Sequence, residues 1–226
     1  METQTENTPD VLPVFPLTGA LLLPGSRLPL HIFEPRYRNM IEDALADQPF
    51  IGMIQPFANA PANYREGGDP NAEVENPDLY EIGCVGHLEQ WERLPDGRFL
   101  IVLRGVRRFR VQEELPLKRG YRRVEASYTD FSGDLDEEAV PVEGENLRQT
   151  LRQFGERHGL QLDWDALEEL SGVTLLNRIA MGLPFPPAEK QALLEAESVE
   201  ARLDLLLALL GMGIDFNPGT SPSALN

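Results

Sequence analysis

GCVGHLEQWERLPDGRFLIVLRGVRRFRV, residues 83–111, sets two long apolar-rich runs on either side of Pro95, Asp96 and Gly97. Pro, Asp and Gly in succession supply the backbone angles of a tight reversal, so the two runs pair as an antiparallel hairpin. Phe99, Ile101 and Leu103 alternate onto one face, which is the period of a half-buried strand. Past Gly105 the alternation slips, and it resumes at Phe109 and Val111. A one-residue slip at a glycine marks a β-bulge.

Outward from this hairpin the text stays strand-like. VLPVFPL (11–17), RLPLHIF (27–33), FIGMIQPF (50–57) and YRRVEASY (121–128) are short apolar runs, several broken by proline. Proline cannot donate to a sheet ladder, which places these runs at edges or bulges. Between the second and third runs, Tyr37, Met40, Ile41, Ala44 and Leu45 fall on one helical face. Pro35 suits the first turn of that helix. Glu34 lies at its positive end, where a carboxylate is stabilised. A long polar loop is expected at 58–78.

The character changes near residue 130. An acidic stretch, 131–145, containing DLDEEAVPVEGE, reads as a bridge from the β-rich unit (11–130) to a helical bundle (146–212). Leu147, Leu151 and Phe154 space the first bundle helix. Asp163, Thr174 and Ser198 stand where helix N-caps are expected, Pro187 opens another helix, and Gly211 closes the last. Flexible tails are expected at 1–10 and 213–226. The fold class is therefore α+β.

The totals narrow the function. The 226-residue chain carries a net charge of −17 and a pI near 4.5. On average it repels nucleic acid and anionic membranes. The single cysteine, Cys84, allows no intramolecular disulfide. METQTENTPD lacks the basic and apolar regions of a signal peptide, and no apolar run reaches the roughly 18 residues of a membrane span. A cytoplasmic protein is expected. The charge is uneven: nine basic and two acidic residues fall between Arg98 and Arg123, a local +7.

Three blocks carry a family resemblance. LPVFPLTGALLLPGSRLPLHIFEPRYRNMI, GCVGHLEQWERLPDGRFLIVLRGVRRFRV and LLNRIAMGLPFPPAEKQALLEAESVEARLDLLLALL occur in that order. Together they resemble the N-terminal, substrate-binding domain of the ATP-dependent Lon protease, over about residues 11–211. The resemblance implies a PUA-like β pseudo-barrel followed by a helical bundle. It also implies binding of unfolded or partly folded polypeptide. No G-x-x-x-x-G-K-[ST] phosphate loop is present. Neither lysine, Lys118 or Lys190, lies in a Ser-Lys protease context. The expectation is a stand-alone, non-enzymatic binding module, adaptor-like or chaperone-like, with no cofactor. Its partners would be polypeptide clients or a specific protein, with ATPase or protease chemistry on another chain.

His31, Glu34 and Arg36 are residue types of acid–base catalysis, but their setting is a strand handing over to a helix, and they are read as architecture. His31, His87 and His158 have no metal-ligand spacing with one another or with Cys84. Polypeptide binding needs exposed apolar area, for which Phe57, Tyr64, Trp91 and Phe185, near predicted loops and turns, are the candidates. Arg104, Arg107, Arg108 and Arg110, in the 104–123 basic strand region, carry the alternative of an RNA-binding PUA-like module. That alternative requires them on one exposed face rather than paired with the chain's own acids.

Overall fold

The order of the strands follows from what each can bury. The computed structural model describes residues 8–57, 77–170 and 172–212. Six strands, β1 (Val11–Pro16), β2 (Arg27–Ile32), β3 (Phe50–Ile54), β4 (Ile82–Arg93), β5 (Phe99–Lys118) and β6 (Tyr121–Ser127), form one sheet in the order β2-β5-β4-β3-β1-β6. β5 also pairs with β6, which closes the sheet into a barrel. β1 and β3 are parallel. A parallel pair needs a crossover, and β2 with helix α1 (Pro35–Ala46) provides it. Most of the expected 58–78 loop, and the 213–226 tail, lie outside the described residues.

Closure depends on the length of β5, which runs past Val111 to Lys118, well beyond the end of its hydrophobic alternation. Its first half pairs with β2 and β4, its second with β6. The expected bulge lies between the halves: Val85 opposes Arg107 and Gly86 opposes Gly105, so Val106 is the extra residue. A Cβ on Gly105 would run into the Leu23 carbonyl oxygen. Inside the barrel, Leu12, Val14, Phe50, Val85 and Val124 surround the fully buried Phe109. Its ring fits because Gly52 and Gly83 face it; a Cβ on either would lie 2.9 or 2.5 Å from Phe109 Cζ.

The outer side of the barrel is buried too. Leu22, Ile51, Cys84 and Leu103 join Leu147, Phe154 and Leu206 of the helices in a second, larger cluster. Two hairpin tips hold α1 in place. Arg119 of the β5–β6 turn donates to Asp43 (2.5 Å) and Glu42 (3.1 Å), and Arg93 of β4 pairs with Glu42 at 3.3 Å. Arg119 and Gly120 both have positive φ, 50° and 88°, as a two-residue hairpin turn of the right twist requires.

The helical part comprises a 3-10 segment (Thr129–Ala139), α2 (Gly144–His158), α3 (Trp164–Glu168), α4 (Gly172–Gly182), α5 (Pro187–Glu195) and α6 (Val199–Met212). Asp163 Oδ1 and Ser198 Oγ accept from Ala166 N and Ala201 N, both at 3.1 Å, as the expected caps. Thr174 does not cap α4, which already starts at Gly172, and α6 runs through Gly211. The architecture is α+β: a barrel with one helix, then a helical layer.

Part of the acidic stretch is buried because arginines wait for it. Asp134 pairs with Arg108 (2.7 Å) and Glu137 with Arg202 (2.9 Å), and all four side chains are at least nine-tenths buried. Arg202 also donates to Leu193 O and Asn177 Oδ1, each at 3.2 Å, and Asn177 Nδ2 donates to Pro24 O. A second polar seam involves Lys190, whose Nζ donates to Gly19 O (2.9 Å) and Met181 O (3.2 Å). Burial pushes its ammonium group down to about 8.

Candidate functional site

β2, the first half of β5 and the far end of β4 leave the barrel as a three-stranded extension. Cross-strand register decides which side chains share a face. His31, Leu100 and Glu92 form one row, Pro29, Val102 and Gln90 the next, and Arg27, Arg104 and His87 the third. The two-residue period puts all three rows on the same side. On the other side Ile101 and Leu103, with Leu30 beside them, pack into the helix-backed core.

The first side is open. Leu100 is 44% exposed, and Phe33, just past β2, is 54% exposed. The Phe33 ring stands 6.0 Å from that of His31. Pro29 and His31 are exposed and Val102 is half-buried. The strand edges are open as well. Among the described residues β2 pairs only with β5, and β4 beyond Leu88 has no neighbour on its β3 side. Unpaired edges are templates for an added strand.

Along β5 the open face continues to Arg104 and ends at the barrel mouth, where Val106 is buried. A recess of about 210 Å³ there is lined by Phe50, His87, Glu89, Arg104 and Val106. The Phe50 ring meets the His87 imidazole edge-on at 5.2 Å. Both oxygens of Glu89 are taken by Arg27, at 2.5 and 2.9 Å. That hydrogen bonding holds Glu89 below the usual carboxylate range. Burial, and then Arg104, lower His87, against a smaller opposing pull from Glu89. Arg104 has no hydrogen-bond or ion-pair partner among the described residues.

The four aromatic candidates do not form one surface. Phe57 is 46% exposed and packs on Tyr80, with ring centroids 4.9 Å apart. Tyr64 lies outside the described residues. Trp91 is 54% exposed but pairs with the inward-facing Ile101, so it stands on the opposite side of the sheet from Leu100. Phe185 is a correction: at 5% exposure it anchors the α4–α5 connection beneath the helices, 6.4 Å from Phe154. The prolines around it signalled a turn, and the turn faces inward. Phe33 and Leu100 were missed. Their signal was present, since Leu100 is out of phase with Phe99 and Ile101 and so has to be an apolar residue facing out.

The arginine face of the RNA alternative is likewise not formed. Arg108 is buried on Asp134 and donates to Leu194 O and Ala196 O. Arg110 bridges Glu81 and Asp130. Arg107 donates to Thr8 Oγ1 and stacks 4.1 Å over the Tyr128 ring. Arg122 is tied to Glu114. Of the four candidates, Arg108 and Arg110 are paired with carboxylates, and Arg107 has only the neutral partners Thr8 and Tyr128. Arg104 makes no hydrogen bond or ion pair among the described residues but lies close enough to Glu89 and His87 to lower both.

His31, Glu34 and Arg36 do not converge. Glu34 pairs with Arg36 (2.9 Å), its carbonyl accepts the first amides of α1, and the Arg36 guanidinium lies over Tyr37. His31 faces the open sheet surface. The Cys84 thiol is fully buried, and burial raises it far above the range of a reactive thiolate. Among the described residues no cluster of three or more His, Cys, Asp or Glu is arranged to hold a metal ion. No described helix is long and apolar enough to cross a membrane.

The described residues thus form a small closed barrel backed by helices, with a sheet extension open on one side and at its edges. The family model for the substrate-binding domain of ATP-dependent protease La (LON) matches residues 11–211. The chain belongs to that family. It is 30% identical over 209 residues to Lon protease 2 of Myxococcus xanthus, covering 91% of this chain and 24% of that protein. It is 29% identical to the Lon protease of Anaeromyxobacter dehalogenans, covering 91% and 23%. The chain thus spans about a quarter of the length of these relatives. Two solved structures share the fold. One is a Lon N-terminal domain protein from Xanthomonas campestris (TM-score 0.59, 23% identity, 88% of this chain and 97% of that one). The other is the N-terminal domain of Lon protease from the Mycobacterium avium complex (TM-score 0.58, 19% identity, the same coverage).

Proposed function

We propose that this chain is a non-enzymatic module that holds extended polypeptide segments on the open face of the β2–β5–β4 extension. The observation that carries the reading is the coincidence of exposed Phe33, just past β2, and Leu100 of β5 with edges of β2 and β4 that are unpaired among the described residues. Backbone hydrogen bonds along an edge give sequence-tolerant affinity, and apolar side chains beside it select unfolded segments. Membership of a substrate-binding family supports polypeptide as the ligand class. In this reading the β-rich part (11–130) binds and the helical part (146–212) braces it. The role is adaptor-like or chaperone-like, in the cytoplasm. The net charge of −17 favours basic unfolded segments.

The test is fluorescence anisotropy with labelled lysozyme, reduced and carboxamidomethylated so that it stays unfolded and basic. The wild type is expected to bind. The double variant Phe33→Ser/Leu100→Ser should bind at least about tenfold more weakly, because each side chain contributes roughly 1.5–3 kcal/mol when buried. Its melting temperature should hardly change, as both positions are exposed. Absence of wild-type binding, or equal affinity in the double variant, refutes the proposal.

A further inference from the structure

The recess at the barrel mouth has features that an apolar binding face does not require. Its floor is apolar, Phe50 and Val106, and its rim is His87, Glu89 and Arg104. At about 210 Å³ it is smaller than the pockets that hold cofactor-sized ligands, and it suits one side chain. Its electrostatics are settled by how the rim charges are spent. Glu89 is engaged by Arg27 through both oxygens. Arg104 lies beside it, half-buried against an apolar floor and close enough to lower both Glu89 and His87, but makes no hydrogen bond or ion pair of its own among the described residues. A guanidinium in that position keeps five donors and a forked geometry suited to a carboxylate.

The recess is continuous with the open face. Leu100, Val102 and Arg104 are alternate residues of β5 and share one side of the sheet, and Val106, in the bulge beyond them, lines the recess together with Arg104. A strand lying along that side presents side chains at the same spacing.

We infer that the barrel-mouth recess is a carboxylate-accepting subsite in which Arg104 receives a single Asp or Glu side chain of a bound polypeptide, next to the apolar residues held by Phe33 and Leu100. This rests on the polypeptide-binding reading above and names a specificity for the same face. The acidity of the rest of the chain limits the preference. One carboxylate in a neutral or basic segment reaches Arg104, whereas an acidic run is repelled before it arrives. His87 is the second member of the subsite. Arg104 and Glu89 are the charged groups facing it, Arg27 lies behind Glu89, and the β3 residue packed on it, Phe50, carries no charge. A carboxylate at Arg104 opposes the effects that keep the imidazole neutral, so binding draws a proton onto His87 and tightens as the pH falls.

The test uses the full chain and two labelled ten-residue peptides that differ only in Glu against Gln, placed four residues from a pair of leucines. The wild type should prefer the Glu peptide by about tenfold, the scale of one charge-assisted hydrogen bond. That preference should grow as the pH falls from about 7.5 through the ordinary imidazole value of about 6.5 and below it, because His87 lies under that value in the free chain. Arg104→Gln should bind both peptides equally at the affinity of the wild type for the Gln peptide. His87→Gln should keep the preference but lose its pH dependence. Arg98→Gln, at the hairpin turn and paired with Asp96, should behave as wild type. Equal wild-type affinity for both peptides overturns the subsite while leaving polypeptide binding intact. Failure to bind either peptide, or unfolded lysozyme, overturns both. Displacement of the Glu peptide by inorganic phosphate as readily as by acetate makes this a general anion site and overturns the assignment to a client carboxylate.

Discussion

Removing one charge from the buried network between β5, the 3-10 segment and α6 tests what holds the helical layer to the barrel. Arg108, Asp134, Glu137 and Arg202 are two cations and two anions sealed from water. Arg202 is 0% exposed and makes bonds to Glu137 Oε1 (3.1 Å) and Oε2 (2.9 Å). Glu137→Gln keeps the shape of the side chain and deletes its charge, which leaves the network with one uncompensated cation. Breaking a buried pair in this way costs about 3–5 kcal/mol. That is a large part of the roughly 5–15 kcal/mol that holds a domain folded. For a chain of this length it lowers the melting temperature by roughly 6–20 °C. Thermal melts by circular dichroism and urea unfolding measure it directly. The double variant Glu137→Leu/Arg202→Met removes both charges and should be more stable than Glu137→Gln alone, since no unpaired charge remains. A loss below about 1 kcal/mol in Glu137→Gln, or a double variant less stable than the single one, would refute the argument that charge balance keeps this layer in place.

Two further outcomes follow from the interior. Burial holds Lys190 near 8, below its ordinary 10.5. Below about pH 8 it is charged in both folded and unfolded states, and the full burial penalty applies. Between the two values the unfolded chain binds more protons, so stability should rise with pH across that window. The buried Cys84 thiol acts the other way, since it keeps its proton in the fold while the unfolded chain loses it. The readout is therefore the difference between wild type and Lys190→Met. The urea midpoint of the wild type should gain on that of the variant between about pH 8 and pH 10, and an unchanged difference would refute the assignment. Gly83→Ala places a Cβ 2.5 Å from Phe109 Cζ and 2.6 Å from the Met53 carbonyl oxygen. The cost should be at least about 1–3 kcal/mol by urea unfolding. Phe109→Leu in the same chain should return only part of it, because the carbonyl cannot yield; full recovery would contradict the close fit described for the barrel.

Much of the fold was legible because it rests on local rules. The Pro-Asp-Gly reversal, the slip at Gly105, the helical face of Tyr37, Met40 and Ile41, and the caps Asp163 and Ser198 are each settled within a few residues, and all stand where the sequence put them. The site was less legible. Phe185 lies in a turn by every local signal, yet the turn is folded under. Leu100 is outward-facing by alternation, yet alternation alone does not say whether another layer covers that face.

By itself the sequence determined the α+β class, the positions of most elements and the family, because periodicity, turn chemistry and block order are properties of neighbouring residues. Tertiary structure alone decided which charges are available. Arg104 and Arg108 are four residues apart on one strand and look alike in the text. Arg108 meets Asp134, distant in the chain, and is spent in the interior. Arg104 sits at the barrel mouth beside a Glu89 already claimed by Arg27. Whether a charged side chain is structural or free to bind depends on partners that only the folded chain brings within a few ångströms, since the interaction falls off with distance and is strengthened by burial.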